Sequence, residues 1–590
     1  MVVADMRKTM TLCAAIAALC LADHGLLAPV LRAAAIAPVA DAAERGDKEA
    51  VRRLLKQAVD VNAAQGDGMT ALHWAAMHGD ADLTAMLLYA GANAGATTRL
   101  GGYTALHLAS QAGAAAAIKT LAAAGANVNA STSTGATPLM LAATSGKADA
   151  VDALIELSAD PNAKETANGQ TALMFAAALD RADVARALLQ HGADATIASR
   201  TVDLTKVRAP EDVLQQEIRD AQTAQSAKQE AASASPAASR PAPAMGASAV
   251  PGVTRPFTFN ELIGTQGGLT ALHFAARQGA MRTIQTLVEM GANVNQVSPG
   301  DRTSPLVIAT INGQFDVAKY LLDHGAESNL ASEAGMTPLY AVLNVEWAPK
   351  AFYPQPRAYL QQQTSYLDLM QALLDKGADP NARVSRKIWY TQYNFDLLRV
   401  EEAGATPFWR AAYASDINAM KLLIAHGADP EIRTTKPAQN DRFRQGGTRS
   451  GDDSKDHSGL PPVPTAGPDI PALHATAGVG YGEGFAANAH RFAPTGMLAA
   501  VKYLVEELHA DVNARDADGN TALHDAAARG DNEMIEYLVS KGADVKAVNR
   551  TGQTTVDMAN GPVQRTQPYP ETIKLLERLG ATNNHKCVSC

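Results

Sequence analysis

From Gly68 onward, apolar and polar residues follow the period of short helices arranged in pairs. In "GMTALHWAAMHGDADLTAMLLYAGAN" (68–93), Leu72, Ala75 and Ala76 share one face of a first helix. Leu83, Met86 and Leu87 form the apolar stripe of a second. Thr70 stands where its side chain caps the first helix. Gly79 breaks the chain between the helices, and Gly91 ends the second in the left-handed conformation that glycine tolerates. The pattern returns from Gly102, Gly135 and Gly169, so that Thr70, Thr104, Thr137 and Thr171 are spaced 34, 33 and 34 residues apart. A second run carries Thr270, Ser304 and Thr337, 34 and 33 apart, and later copies begin at Gly404 and Gly519. A fixed period of this size predicts a stacked array, because no single unit can bury its apolar face alone.

The recurring T-A-L-H motif, its glycine break and its closing G-A-N or G-A-D resemble the ankyrin repeat. The resemblance implies an all-α repeat solenoid of stacked helix-turn-helix units with β-turn or hairpin tips, interrupted by disordered loops. About twelve units can be placed over roughly two-thirds of the chain. Pro138, Pro338 and Pro407 fall in the first helical turn, where a missing N–H costs nothing. Asp180 and Ser415 replace the first glycine of their repeats, which predicts breaks that are strained or differently shaped. His73, His107, His273 and His524 occupy one motif position, and a stacking step of about 10 Å keeps successive ones from sharing an ion with bonds of ~2 Å. In the family this histidine bonds to backbone and to the threonine of its own turn, so no metal site is expected.

The expected organisation is a secretory leader at 1–37, repeats at 38–200, an irregular helix with an Ala/Ser/Pro-rich disordered linker at 201–266, and repeats with aromatic-rich insertions at 267–432. A flexible linker at 433–469, repeats with a C-terminal cap at 470–582, and a tail at 583–590 follow. Between Arg219 and Pro256 there is no Leu, Ile, Phe, Tyr or Trp, so burial cannot offset ordering entropy there. Between Tyr340 and Trp409 the composition inverts: twelve of the 29 aromatics fall in these 70 residues, including Trp347 and Trp389. Stacking does not require them. Trp347, Phe352, Tyr353, Tyr359, Trp389, Tyr390 and Tyr393 are therefore candidate partner-binding residues, since Tyr and Trp give large contact area at low entropy cost. The competing reading is that the inserted loops bury their own aromatics.

Charge and chemistry narrow the function further. Lys plus Arg is 51 against 60 Asp plus Glu, a net charge of −9, which argues against nucleic acid as the main partner. No H-E-x-x-H, G-x-S-x-G or P-loop appears, and "GVGYGEGF" near Gly478 reads as a modified turn rather than a phosphate loop. The segment from Ile470 to Ala500 holds no catalytic constellation. No enzyme activity is expected, and no cofactor in the chain as given.

Arg7 and Lys8, an apolar run from Met10 to Ala22, and Ala33, Ala35 and Ala37 make a secretory signal too short to span a bilayer. An alanine-rich first helix is the alternative. Export would leave Cys587 and Cys590 of the terminal "CVSC" as the cysteines of the mature protein. Three readings stand for them: redox exchange, an incidental tail, or an interrupted C-x-x-C-H motif for covalent haem c, which one further histidine would complete. The expectation overall is an exported, periplasmic or extracellular, bacterial member of the ankyrin repeat family. It would be a monomer without a stable membrane anchor, binding a protein partner on its concave face and aromatic insertion. The alternative is the docking arm of a haem electron-transfer protein.

Overall fold

The structure is a computed structural model that describes residues 37–207, 250–253, 255, 257–347, 358–388, 400, 402–438, 456–480, 491–561 and 567–587. It divides into two units, Met1–Ser133 and Thr134–Cys590. Among the described residues the first unit holds three helix pairs, from Pro38–Glu44 to Ala115–Ala123, and the second holds nine, from Pro138–Ser145 to Pro570–Arg578. Among the described residues strand is confined to one small pairing, β1 (Thr201–Asp203) with β2 (Thr265–Gly267), antiparallel with Val202 opposite Gln266. The fold is a helical repeat solenoid.

Each repeat forms for local reasons. Thr104, Thr137, Thr337 and Thr406 adopt extended backbone at the N-cap, and each hydroxyl accepts from the backbone N–H three residues on. The second helices are capped instead by aspartate: Asp47, Asp80, Asp416 and Asp531 accept from Ala50, Leu83, Ala419 and Met534. The motif alanines do what small residues allow. Ala75 and Ala76, Ala142 and Ala143, Ala275 and Ala276, Ala526 and Ala527 are all fully buried where one first helix packs on the next. Adding methylenes there would overpack by about 1–3 kcal/mol.

The motif histidine behaves as the resemblance implied. In His73, His107, His273 and His524, Nδ1 accepts from the backbone N–H of the cap threonine at 3.1–3.3 Å. A nitrogen that accepts carries no proton, so the ring is the neutral Nε2–H tautomer. That Nε2–H donates to the following tip: His73 to the Tyr103 carbonyl at 3.1 Å and His273 to the Thr303 carbonyl at 3.0 Å. Asparagines staple the outer loops in the same repeat-to-repeat manner. Asn295 Nδ2 donates to the Gly325 carbonyl at 3.0 Å, and its Oδ1 accepts from the Glu327 N–H at 2.8 Å.

The interruptions leave the stack unbroken. The helix Ala172–Ala178 packs directly on Ala271–Gln278, and Ala182–Gln190 on Met281–Glu289. The repeats on either side of 201–266 are therefore immediate neighbours, and β1 with β2 closes the excursion at its root. Likewise Pro407–Tyr413 packs on Ala472–Ala477, with Thr435 bridged to Pro468 at the neck of the 433–469 excursion. Within the second unit, the repeats that flank each of these two interruptions therefore pack on one another. The irregular helix expected before 219 lies outside the described residues, as does the leader.

Both glycine substitutions sit where strain was expected. Asp180 and Ser415 each have φ of 53°. Asp180 offsets its strain by accepting from Thr283 N–H and Oγ1–H, both at 2.9 Å, across the root of the 201–266 excursion.

Candidate functional site

The first helices of consecutive repeats pack side by side, so equivalent positions line up. One position, directly after the motif histidine or its replacement, carries a large apolar side chain that stacking does not fully cover. In the second unit these are Leu141 and Phe175, half-buried, then Phe274 at 7% and Ile308 at 6% exposure. Leu179, 48% exposed, adds to the row, and the Arg277 guanidinium lies 5.8 Å over the Phe274 ring. In the first unit Trp74 and Leu108 hold the same position. The row gives way to Ala341 and then Arg410. The sequence carried the signal in the residue after each T-x-x-H, T-x-x-M or S-x-x-V, which motif matching passes over.

Arg410 begins a different environment. It is 2% exposed, its Nε donates to Asn344 Oδ1 at 2.8 Å, and one Nη donates to the Trp347 carbonyl at 3.1 Å. Trp347 itself corrects an expectation. It is buried rather than presented to a partner, and its indole N–H donates to Asp416 Oδ2 at 3.0 Å. The Tyr366 hydroxyl donates to the same oxygen at 2.9 Å, and the two rings meet edge to face with centroids 6.2 Å apart. Burial, and then the neighbouring Asp416 charge, push the Tyr366 hydroxyl well above its usual range. The physical reason for the burial is position. Trp347 directly follows the helix Pro338–Glu346, so it must enter the repeat junction before the insertion can leave. It roots the loop.

Tyr359, on the returning limb, stands nearer the surface. Its ring lies 6.1 Å from Phe315, and its hydroxyl accepts from Arg491 at 3.1 Å. Arg491 belongs to the interruption between Ala472–Ala477 and Met497–Lys502, two repeats on. Two insertions therefore meet at one edge, with Leu360 at 66% and Phe492 at 42% exposure beside the contact. Phe352, Tyr353, Trp389, Tyr390 and Tyr393 lie outside the described residues.

The segment that leads to Cys587 is not a free tail. Residues 582–586 lie back on the last repeat: Thr554 Oγ1 donates to the Thr582 carbonyl at 2.6 Å, and Gln553 Nε2 donates to the Lys586 carbonyl at 2.9 Å. Asp557 occupies the motif-histidine position. It accepts from Thr554 N–H at 2.8 Å and from Lys586 N–H at 3.2 Å. Cys587 is disulfide-bonded, and Cys590 lies outside the described residues. The neighbouring imidazole, His585, precedes the cysteines. No group of His, Cys, Asp or Glu among the described residues could hold a metal ion. No helix among them is long and apolar enough to cross a membrane.

Comparison with known proteins agrees with this architecture. A family model described as ankyrin repeats (3 copies) matches residues 39–132, 125–199, 254–342 and 488–585, and a single ankyrin repeat model matches 403–435. The chain is 39% identical over 85 residues to ankyrin repeat and SAM domain-containing protein 6 of Rattus norvegicus, which covers 14% of this chain and 9% of that protein. It is 25% identical over 261 residues to alpha-latrocrustotoxin-Lt1a of Latrodectus tredecimguttatus, covering 44% and 13%. It is 35% identical over 74 residues to the B-cell lymphoma 3 protein homolog of Mus musculus, covering 12% and 16%. Each match spans less than a fifth of the relative's own length, so the likeness is one of repeats. The family models cover more than half of the 590 residues, and the chain belongs to the ankyrin repeat family.

Proposed function

We propose that the protein is a non-enzymatic scaffold that binds a protein partner along its row of first helices, with Tyr359 and Phe492 at the edge of the insertions as anchors. Ankyrin repeats are in general protein–protein interaction modules. The single observation that carries the reading for this chain is the aligned apolar row of Leu141, Phe175, Phe274 and Ile308. Such a row offers many shallow contacts in register with an extended partner, and Tyr359, Leu360 and Phe492 supply an apolar edge farther along the stack. Trp347 is a structural root in this reading and not an anchor.

The test is a photo-crosslinking residue at Phe175, with a second at the outer-face position Lys319 as control, in the full chain in its native cells. A discrete adduct from position 175, lost in the Leu141→Ser/Phe175→Ser variant while the helical circular dichroism is kept, supports the proposal. Equal adducts from both positions, or capture undiminished in the variant, defeats it. The N-terminal pattern further assigns the protein to an exported compartment. A mature N-terminus near residue 36–38 supports that assignment, and an intact N-terminus on protein from the cytoplasmic fraction overturns it.

A further inference from the structure

One repeat departs from the histidine chemistry of the others. In "PALHATA" (471–477) the cap position is Pro471, which has neither an N–H nor a hydroxyl to offer His474. His474 Nδ1, fully buried, instead lies 2.9 Å from Asp525 Oδ2 on the first helix of the next repeat. Its Nε2 lies 3.0 Å from the Ala514 carbonyl oxygen. Both ring nitrogens therefore face oxygens that only accept. The carbonyl requires Nε2–H, and a second proton must lie between Nδ1 and Asp525, because two bare lone pairs at that distance repel. The repeat junction holds one proton more than its counterparts at His73 and His273, which carry the neutral ring.

Two more carboxyl groups are buried beside it. Asp516 accepts from Asn520 N–H at 2.8 Å, Asp518 N–H at 3.0 Å and Asn520 Nδ2 at 3.0 Å. Asp469 accepts from Ala517 N–H at 2.9 Å. The cations nearby are turned elsewhere. Arg529 contacts Asp531 and Met497, and Arg515 donates to the Gly519 and Val548 carbonyls. Lys436 donates to the Val463 carbonyl. From the preceding repeat Arg410 bonds Asn344 and Trp347, and from the following helix Lys502 sits 5.4 Å over the Tyr537 ring. His524 is held neutral by Thr521. Asp518 is the remaining acid of the loop.

The geometry points to a proton-dependent clasp between the repeats at 470–508 and 519–542, closed while His474, Asp525, Asp516 and Asp469 share their protons and loosened as rising pH removes them. Loss of protons leaves up to three carboxylates buried around a neutral imidazole; the charges of Arg529 and Lys436 offset this only in part, and Asp525 and Asp469 stay raised. The direction of each titration agrees. Burial pushes Asp516 up to about 8 and raises Asp525 and Asp469, while the surrounding carboxylates outweigh burial and raise His474. Groups raised in the folded state contribute stability that is present at low pH and lost as pH passes through the folded value. For the aspartates the window opens at the ordinary carboxylate range and for His474 at the ordinary histidine range, and it runs to just above 8.

Hydrogen–deuterium exchange on the full chain, read as protection factors corrected for the intrinsic rate at each pH, tests this. From pH 6 to pH 9, protection in 472–477 and 522–529 is expected to fall about tenfold or more, while 271–278, built on His273, keeps its protection. Asp525→Asn is expected to flatten the fall. Asp516→Asn, which should reduce it, serves if the first variant does not fold. A flat wild-type profile, an equal fall in 271–278, or an undiminished fall in the variants would each overturn the clasp.

Discussion

At the scale of single residues, strain and unpaired polarity meet at Ser415. Ser415 holds a left-handed backbone, is fully buried, and its hydroxyl has no hydrogen-bond partner. Ser415→Gly removes both penalties at the cost of chain entropy, so it is expected to stabilise by about 1–2 kcal/mol, read from the urea midpoint. Its neighbour Asp416 does the opposite work. One carboxylate caps the helix Ile417–Ala425 and accepts from Trp347 and Tyr366. Asp416→Ala strands three buried donors and is expected to cost about 3–5 kcal/mol. A loss below 1 kcal/mol would mean the three groups find other partners. Trp347→Ala is expected to destabilise through the same network, so any loss of binding in that variant has to be read against its stability. Sequence showed the glycine replacements plainly, because Asp and Ser stood in a strict punctuation pattern. It could not show the network, because Trp347, Tyr366, Arg410 and Asp416 belong to different repeats and meet only once those repeats stack.

At the scale of elements, most repeats reuse one set of local signals, and this is why the helices were legible. The threonine cap, the alanine pair and the closing glycine each act within a few residues. What sequence could not reveal was the fate of the interruptions. Low hydropathy between Arg219 and Pro256 marks a segment without a core, but says nothing of where its ends go. The structure brings those ends together through β1 with β2 and through Asp180 with Thr283. Deleting 210–249 is therefore expected to leave a single cooperative melt with Tm unchanged within a few degrees, because loop closure depends only weakly on length. A melt split into two transitions would show that the flanking repeats do not communicate. The aromatic insertion was half legible: its composition pointed to an unusual region, yet Trp347 proved to be internal while Tyr359 reaches the edge.

At the scale of the whole molecule, the motif histidines set an acid limit. Burial lowers His73, brings His273 to about 4 and His524 to about 3. A pKa depressed in the folded state contributes stability that is present above the ordinary histidine value and lost as pH falls toward the folded one. Protonating His273 alone removes on the order of 3 kcal/mol, so the urea midpoint is expected to drop between pH 6.5 and 4. A His273→Gln variant should show a shallower drop, and an identical slope would remove histidine from the explanation. The last repeat avoids this chemistry. With Asp557 in the histidine position, the junction accepts an N–H from Lys586 where the junctions built on His73, His107 and His273 donate one to a carbonyl. Hydrogen-bond polarity is thereby inverted at one place in the stack. A standard repeat laid there would bring its tip carbonyl against a carboxylate, acceptor against acceptor. The junction works as a keyed fitting: it takes a segment that offers an amide hydrogen, where a histidine junction takes a tip that offers a carbonyl.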